Sequence, residues 1–223
     1  YMCGDSTMDS YGYTNKNAAD PEYARISGWG EEFGKYFDTN KAVVENYALS
    51  GSSAREFYNY AALWKSVKPL LKKGDYVLIQ FGHNDQGEES SYDSAAESKK
   101  EYKYYLNLMA GEAAAAGAIP VFVTSINRLE YVNGVFTETL GGYPEEMKKL
   151  AEDLKIPVID IHAETAQWLT QIGENEAMQY FRYGRDGSDY THLNTMGARK
   201  IAAMVIDKIK SDSALAGLKA LLK

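Results

Sequence analysis

The residues best suited to chemistry are one serine on a glycine turn and the three histidines that could serve it. Ser6 follows a Gly-Asp pair at the point where the short apolar run 1–3 ends. A serine hydroxyl is a weak nucleophile at neutral pH and needs a base within hydrogen-bond reach. The chain offers only His83, His162 and His192 for this task.

Asp189 distinguishes one of these histidines from the others. It lies three positions before His192, in a polar loop that ends at the N-cap candidate Asn194. In a tight loop, an aspartate at this spacing can turn back to accept the Nδ1 proton of the imidazole, so that Nε2 faces the serine. The motif alone is weak because chance often produces it, and His162 stays the alternative base.

A metal site is the other chemistry that these residues could support. His83 and Asp85 could combine with Asp5 or His162. A protein metal site needs three or four ligands in a defined geometry, and no further His or Cys is placed to help. We therefore interpret His83 as structural and expect neither a metal nor an organic cofactor.

Strands alternate with helices along the chain. The strands are predicted at residues 1–3, 43–47, 76–81, 118–124 and 158–161, and the helices at residues 28–37, 54–71, 94–117, 145–154, 163–173 and 195–210. Polar loops are predicted at 8–27 and 125–142. Short β-branched strands between helices indicate one α/β domain over residues 1–223, a three-layer α/β/α sandwich around a parallel sheet of about five strands.

Ligands of such a sheet bind where its strands end at their carboxyl sides. Four of the predicted turns lie there: those at Ser6, Gly51 and Asn84, and the loop after Arg128. We expect the chemistry to converge on these turns.

Composition excludes several classes of protein. The 24 basic and 31 acidic residues give a net charge of -7 without a Lys/Arg-rich stripe, which argues against nucleic acid as the main partner. No apolar run approaches the roughly 18 residues that a membrane span needs. The single Cys3 rules out an internal disulfide. We expect a soluble, processed polypeptide whose first strand is shortened.

Four blocks together carry a resemblance that none of them carries alone. The chain resembles the SGNH (GDSL-like) hydrolase superfamily and, within it, the rhamnogalacturonan acetylesterase-like carbohydrate esterases. The blocks span residues 4–7, 46–51, 82–85 and 189–194. Thr7 in place of the commoner leucine and the Gly-Trp-Gly segment 28–30 favour the acetylesterase branch.

The resemblance implies a flavodoxin-like fold and a role for each matching residue. Ser6 would be the nucleophile, His192 the general base and acid, and Asp189 the carboxylate that orients the histidine. The oxyanion hole would combine the backbone N–H groups of Ser6 and Gly51 with the side-chain amide of Asn84.

The same resemblance implies the substrate. It indicates removal of acetyl groups from a plant cell-wall polysaccharide, most often acetylated pectin (rhamnogalacturonan), by a secreted or periplasmic protein, although no export signal is visible in the chain. Arg128 is the candidate for binding a uronate carboxylate, because guanidinium groups suit carboxylates. The alternatives are a xylan or other carbohydrate acetylesterase, a lipase or thioesterase of the same superfamily, and a non-catalytic carbohydrate-binding module. Protein partners stay unknown.

Overall fold

A parallel sheet forms the centre of the computed structural model, which describes residues 1–11, 25–60, 63–182 and 187–223. The strands are β1 (Met2–Gly4), β2 (Tyr76–Gln80), β3 (Ile119–Val123), β4 (Tyr131–Val132), β5 (Val135–Phe136) and β6 (Val158–Ile159). The main sheet has the order β1-β2-β3-β6, and every neighbouring pair is parallel. β4 and β5 form a separate antiparallel hairpin.

Helices cover both faces of this sheet. They are α1 (Gly30–Phe33), α2 (Ala54–Asn59), α3 (Trp64–Val67), α4 (His83–Gly87), α5 (Ala95–Ala115), α6 (Tyr143–Leu154), α7 (Ile161–Ala177), α8 (Thr195–Ser211) and α9 (Ala216–Lys219). One buried cluster includes Trp29 of the α1 N-cap and Ile201 of α8, and a second includes Phe57 of α2 and Leu106 of α5. The predicted three-layer α/β fold is confirmed.

The predicted strand over residues 43–47 is wrong as a strand. In the described part of the chain the main sheet has four strands, and this segment contributes a single bridge between Asn46 and Met2. It still runs beside β1, because the Tyr47 N–H donates to the Met2 carbonyl at 2.8 Å and the Leu49 N–H to the Gly4 carbonyl at 2.9 Å. The Asn46 side chain accepts the Ala48 N–H at 3.0 Å, which is the N–H between the two that pair with β1.

The predicted helix over 54–71 is interrupted. A capping box between Ser53 and Glu56 begins α2, which ends at Tyr60 in an extended conformation. α3 begins at Trp64 and passes into a 3-10 turn, Lys68–Leu70, that contains Pro69. Proline lacks the N–H that a continuing α-helix needs, so Pro69 accounts for the end of α3. The earlier break, after Asn59, is a separate interruption of the predicted helix.

The loop predicted over 125–142 contains the β4–β5 hairpin. Its turn residues, Asn133 and Gly134, both have positive φ, at 52° and 76°. Asn-Gly between two apolar pairs is a strong hairpin signal in a sequence, and it was overlooked.

The ends of the other helices differ from the predicted ones by about one helical turn or less, and one helix contains a kink. α6 begins at Tyr143, and α7 extends from Ile161 to Ala177 across a non-helical Gly173. The predicted N-cap Asn194 is confirmed, because its side chain accepts the Gly197 N–H at 3.0 Å. Most of the predicted loop 8–27 lies outside the described residues. Among all the described residues of the chain, no helix is long and apolar enough to cross a membrane.

Candidate active site

Ser6, His192 and Asp189 form one hydrogen-bonded row at the carboxyl end of β1. The His192 Nε2 atom lies 3.0 Å from the Ser6 Oγ atom. On the other side of the ring, Nδ1 lies 2.9 Å from Oδ2 and 3.1 Å from Oδ1 of Asp189. The structure thus brings together three side chains that lie up to 186 positions apart. In this arrangement the carboxylate can fix the imidazole tautomer that leaves Nε2 facing the serine.

The loop around Asp189 explains why a spacing of three residues works. Its Oδ1 atom also accepts the backbone N–H of Thr191 at 3.2 Å and that of His192 at 3.0 Å. Burial alone would raise the pKa of Asp189, but its hydrogen bonds with His192 and Thr191 outweigh burial and lower that pKa. Asp189 is therefore a carboxylate at neutral pH, which suits an acceptor of the imidazole N–H.

The turn that presents Ser6 is held by its neighbours on both sides. The Asp5 Oδ1 atom accepts the N–H of Thr7 at 2.9 Å and its hydroxyl at 2.8 Å. The Trp29 N–H donates to the Thr7 carbonyl at 2.9 Å. A Cβ atom on Gly28 would lie 2.2 Å from the Asp9 carbonyl oxygen, and one on Gly30 would lie 2.3 Å from that of Met8. The Gly-Trp-Gly segment therefore packs directly against the turn after the serine.

A buried chain of polar side chains connects this segment to Asp5. The Trp29 indole N–H donates to Gln80 at 2.7 Å, and the Gln80 amide donates to the Thr7 hydroxyl at 2.6 Å. Burial alone would raise the pKa of Asp5, but hydrogen bonds from His83 and Thr7 outweigh it and lower that pKa. Thr7 and Trp29, which were noticed separately in the sequence, thus belong to one network through Gln80.

The histidines other than His192 have different surroundings. His83 is buried, and its Nδ1 atom lies 3.4 Å from Asp5. The His162 ring nitrogens face the Ser125 carbonyl at 3.1 Å and the Glu138 carboxylate at 3.5 Å, and burial lowers the pKa of His162. His192, not the alternative base His162, contacts Ser6. In the described part of the chain, no group of three or more His, Cys, Asp or Glu residues could hold a metal ion.

The predicted oxyanion donors lie on two neighbouring loops. The Asn84 side-chain amide donates to the Ser52 carbonyl at 3.0 Å, which joins the loop of Gly51 to the start of α4. A primary amide carries two N–H donors, so this bond fixes the amide plane and leaves one donor. Over the described residues, neither the Ser6 nor the Gly51 backbone N–H donates to a protein acceptor.

Asp85 forms a second hydrogen bond from α4 to the segment that follows Gly51. One carboxyl oxygen accepts the Ala54 N–H at 3.0 Å, in the first turn of α2, while the buried Oδ2 atom has no partner among the described residues. Burial raises the pKa of Asp85 from 3.8 to about 8. This shift of the Asp85 pKa was not predictable, because nothing in the sequence shows that the position is fully enclosed.

This buried acid predicts a pH-dependent stability. Folded Asp85 keeps a proton between its unfolded pKa of 3.8 and its folded pKa of about 8, whereas the unfolded chain loses it. Rising pH across this window therefore lowers the free energy of unfolding. Asp85→Asn keeps the acceptor for Ala54 and cannot ionise. We expect the free energy of unfolding of Asp85→Asn, measured with urea, to exceed that of the wild type by an amount that grows between pH 3.8 and about 8 and then levels off.

The exposed Asp93→Asn variant is the matched control and should show no such trend. A constant difference between Asp85→Asn and the wild type at all pH values would contradict this account of Asp85.

Arg128 lies half-buried beside the same loops. Its Nη1 atom donates to Gln86 at 2.7 Å and to Thr139 at 3.3 Å, both neutral groups. Burial lowers the pKa of Arg128, and the Asp5 carboxylate acts on it in the opposite direction. Over the described residues, no carboxylate forms an ion pair with this guanidinium, so its charge is available to an anionic group.

Sequence reasoning missed one side chain at the site. Tyr11 was assigned to a surface loop, but its hydroxyl donates to Ser50 at 3.4 Å. Hydrogen bonding with both Ser50 and Ser6 affects its pKa. No sequence signal identifies a lone tyrosine in a tyrosine-rich loop as an active-site neighbour.

Comparisons with known proteins identify the family. The model of the GDSL-like Lipase/Acylhydrolase family matches residues 2–200, so the chain belongs to that family of carboxylic ester hydrolases. The rhamnogalacturonan acetylesterase RhgT of Bacillus subtilis (strain 168) is 34% identical over 220 residues, which cover 94% of this chain and 88% of that protein. The predicted membership of the GDSL-like superfamily, with relatives among the rhamnogalacturonan acetylesterases, is confirmed.

Two solved structures share the fold. Protein YxiM of Bacillus subtilis superposes with a TM-score of 0.80 at 27% identity, over 94% of this chain and 55% of that one. The acetylxylan esterase Axe2 of Geobacillus stearothermophilus gives a TM-score of 0.63 at 18% identity, over 95% and 93% of the two chains. The second likeness concerns the fold alone.

Proposed function

We propose that this protein is a serine esterase that removes acetyl groups from a plant cell-wall polysaccharide, with acetylated rhamnogalacturonan as its substrate. The observation that carries the proposal is the 3.0 Å contact between Ser6 Oγ and His192 Nε2, with Asp189 behind the ring. The choice of polymer is supported by the rhamnogalacturonan acetylesterase that is 34% identical to this chain.

The first half of the reaction transfers the acetyl group to the enzyme. Ser6 Oγ attacks the acetyl carbonyl carbon while its proton passes to His192 Nε2, and Asp189 stabilises the imidazolium that forms. The tetrahedral intermediate collapses when the bond from the carbonyl carbon to the sugar oxygen breaks. That oxygen takes the proton from His192, and the sugar leaves as an alcohol.

The second half restores the serine. A water molecule gives a proton to His192 Nε2 and attacks the carbonyl carbon of acetyl-Ser6. The intermediate collapses to acetic acid as Ser6 Oγ recovers its proton from His192, and the acid then loses its own proton to the solvent to become acetate. Atoms and charges balance in both halves without a metal or a redox cofactor.

The negative charge of each intermediate needs donors that are already in place. The Ser6 and Gly51 backbone N–H groups and the second amide N–H of Asn84 are the proposed donors. A single preorganised donor of this kind contributes roughly 3 to 4 kcal/mol, or about 100- to 1000-fold in rate. The Asn84–Ser52 hydrogen bond supports this role, because an amide whose plane is already fixed needs no reorganisation during the reaction.

Acetate release tests the proposal directly. The purified protein should release acetate from acetylated rhamnogalacturonan oligosaccharides faster than from acetylated xylan fragments. Faster release from xylan would favour the xylan alternative. Hydrolysis of p-nitrophenyl octanoate in preference to p-nitrophenyl acetate would favour a lipase or thioesterase. Absence of turnover on every ester would favour a carbohydrate-binding module.

Arg128 is proposed to bind the carboxylate of a galacturonate unit. A hydrogen bond to a charged group contributes about 1.5 to 3 kcal/mol, so we expect Arg128→Gln to lower kcat/KM on the acidic oligosaccharide about 10- to 100-fold. Turnover of p-nitrophenyl acetate, which carries no carboxylate, should change little. Steady-state kinetics on both substrates measures the difference.

Lys149→Gln serves as the control for loss of one positive charge, since this side chain is exposed on α6 and pairs with Glu146. Equal losses of Arg128→Gln on the acidic and the neutral ester would show that the arginine only supports the loop, and no loss on either would exclude the role altogether.

A further inference from the structure

Tyr11 has a backbone conformation that a bulky residue seldom adopts. Its φ is 42°, in the left-handed region, whereas most positive-φ residues in the described part of the chain are glycines. Such conformations cost free energy and persist only where the surroundings hold them, often at functional sites. Contacts with the surrounding residues must therefore hold Tyr11 in this conformation.

Asp9 holds the backbone of Tyr11 and fastens it to the neighbouring loop. Its Oδ1 atom accepts the Tyr11 N–H at 3.2 Å, and its Oδ2 atom accepts the Ser50 N–H at 2.9 Å. Asn46 adds two bonds of 2.8 Å, to the Met8 carbonyl and the Ser10 hydroxyl. The segment from Met8 to Tyr11 is therefore fixed against the loop that carries Gly51.

The Tyr11 hydroxyl lies beside that loop. It donates to Ser50 Oγ at 3.4 Å, which is longer than the usual O–H···O range of about 2.5 to 3.0 Å. Burial raises the pKa of Tyr11 to about 12, and interactions with Ser50 and Ser6 act in the opposite direction. The group is thus a neutral hydroxyl with a weakly engaged proton, beside the atom that attacks the substrate.

The substrate limits what such a donor can bind. The carbonyl oxygen of an acetyl ester is directed to the oxyanion donors, and the rest of the acyl group is a methyl group without an acceptor. The remaining acceptors near Ser6 are the hydroxyl and ring oxygens of the sugar. A hydroxyl donor aimed at the methyl group would lose its hydrogen bond, which is unfavourable in a partly buried site.

We propose that Tyr11 is a substrate-binding residue, whose hydroxyl leaves Ser50 and donates to a sugar oxygen next to the acetylated position. This assignment rests on the proposed function, since it requires a sugar ester. It adds a contact that recognises the carbohydrate close to the reacting bond, separate from the carboxylate contact at Arg128.

Tyr11→Phe removes the hydroxyl and keeps the ring. We expect kcat/KM on acetylated rhamnogalacturonan oligosaccharides to fall about 10-fold, the effect of one lost hydrogen bond. Hydrolysis of p-nitrophenyl acetate, which has no sugar, should stay within about 2-fold of the wild type, and this also shows that the variant is folded. Tyr104→Phe, at an exposed tyrosine of α5, should change neither rate.

Two results would overturn the assignment. Equal losses on the oligosaccharide and on p-nitrophenyl acetate would mean that the phenol acts on Ser6 itself, and unchanged rates on both would mean that it binds nothing. Failure of the proposed function would look different: the wild type would release no acetate from the oligosaccharide. The wild type and Tyr11→Phe would then be compared on peracetylated glucose as the sugar ester, and the same two results would overturn the assignment.

Discussion

Ser6→Ala is expected to lower kcat on any accepted acetyl ester by a factor on the order of a million. The serine oxygen forms the bond to the acetyl carbon, so no neighbouring group can replace it, and loss of the nucleophile from a serine triad has an effect of about this size. The fold should be unaffected, because the Ser6 hydroxyl supports no core contact and faces His192. Acetate release by purified wild type and variant measures the difference.

The control is Ser66→Ala, at an exposed serine of α3, which should retain full activity and the wild-type melting temperature. If Ser6→Ala kept more than about one thousandth of the wild-type rate with an unchanged fold, another residue would have to be the nucleophile.

Asp189→Asn should give the second largest loss, about 10,000-fold in kcat. The amide has nearly the shape of the carboxylate, but its NH2 group turned toward His192 would leave Nδ1 as an acceptor and place the ring proton on Nε2. The ring would then donate to Ser6 instead of accepting from it. Single-turnover kinetics with p-nitrophenyl acetate isolates this step, because acylation needs the base first.

The same variant should respond differently to acid. Hydrogen bonds from His192 and Thr191 lower the pKa of Asp189 below 3.8, so the carboxylate contributes stability at neutral pH that is lost as the pH falls through its folded pKa. Asp189→Asn cannot show this acid-dependent loss, whereas Asp207→Asn, at an exposed position of α8, should still show it.

Retention of more than one tenth of the wild-type kcat by Asp189→Asn would contradict the orienting role.

Part of the candidate site was predictable because its residues occupy short sequence blocks. Ser6 follows β1 and Asn84 follows β2, so strand order brings these two residues to one edge of the sheet. Asp189 and His192 share a loop before α8, and their spacing, not a strand, was the signal for that pair. The Asn194 N-cap was also predictable, because capping depends on a few neighbouring residues.

Other features depend on contacts between distant parts of the chain. The path from Trp29 through Gln80 and Thr7 to Asp5 joins three segments, and no one of them shows it. The raised pKa of Asp85 needs complete enclosure, which a sequence pattern does not report. The contact between Tyr11 and Ser50 depends on a strained turn that Asp9 holds.

The errors in secondary structure have a different origin. The end of α3 and the Asn133-Gly134 hairpin both carried local signals, Pro69 and the Asn-Gly pair. The strand expected at residues 43–47 lies beside β1 but makes only a single bridge to it, between Asn46 and Met2.

The most direct test of the account is the position of the acetyl group during turnover. Protein mixed with p-nitrophenyl acetate or an acetylated oligosaccharide can be quenched in acid within the first turnovers, digested and analysed by mass spectrometry. If Ser6 is the nucleophile, an acetyl group should be found on the hydroxyl of Ser6 in the peptide that contains it. This acetyl group should disappear once the ester is consumed. Acetyl transfer to a different side chain, or undiminished turnover by Ser6→Ala, would contradict this role of Ser6.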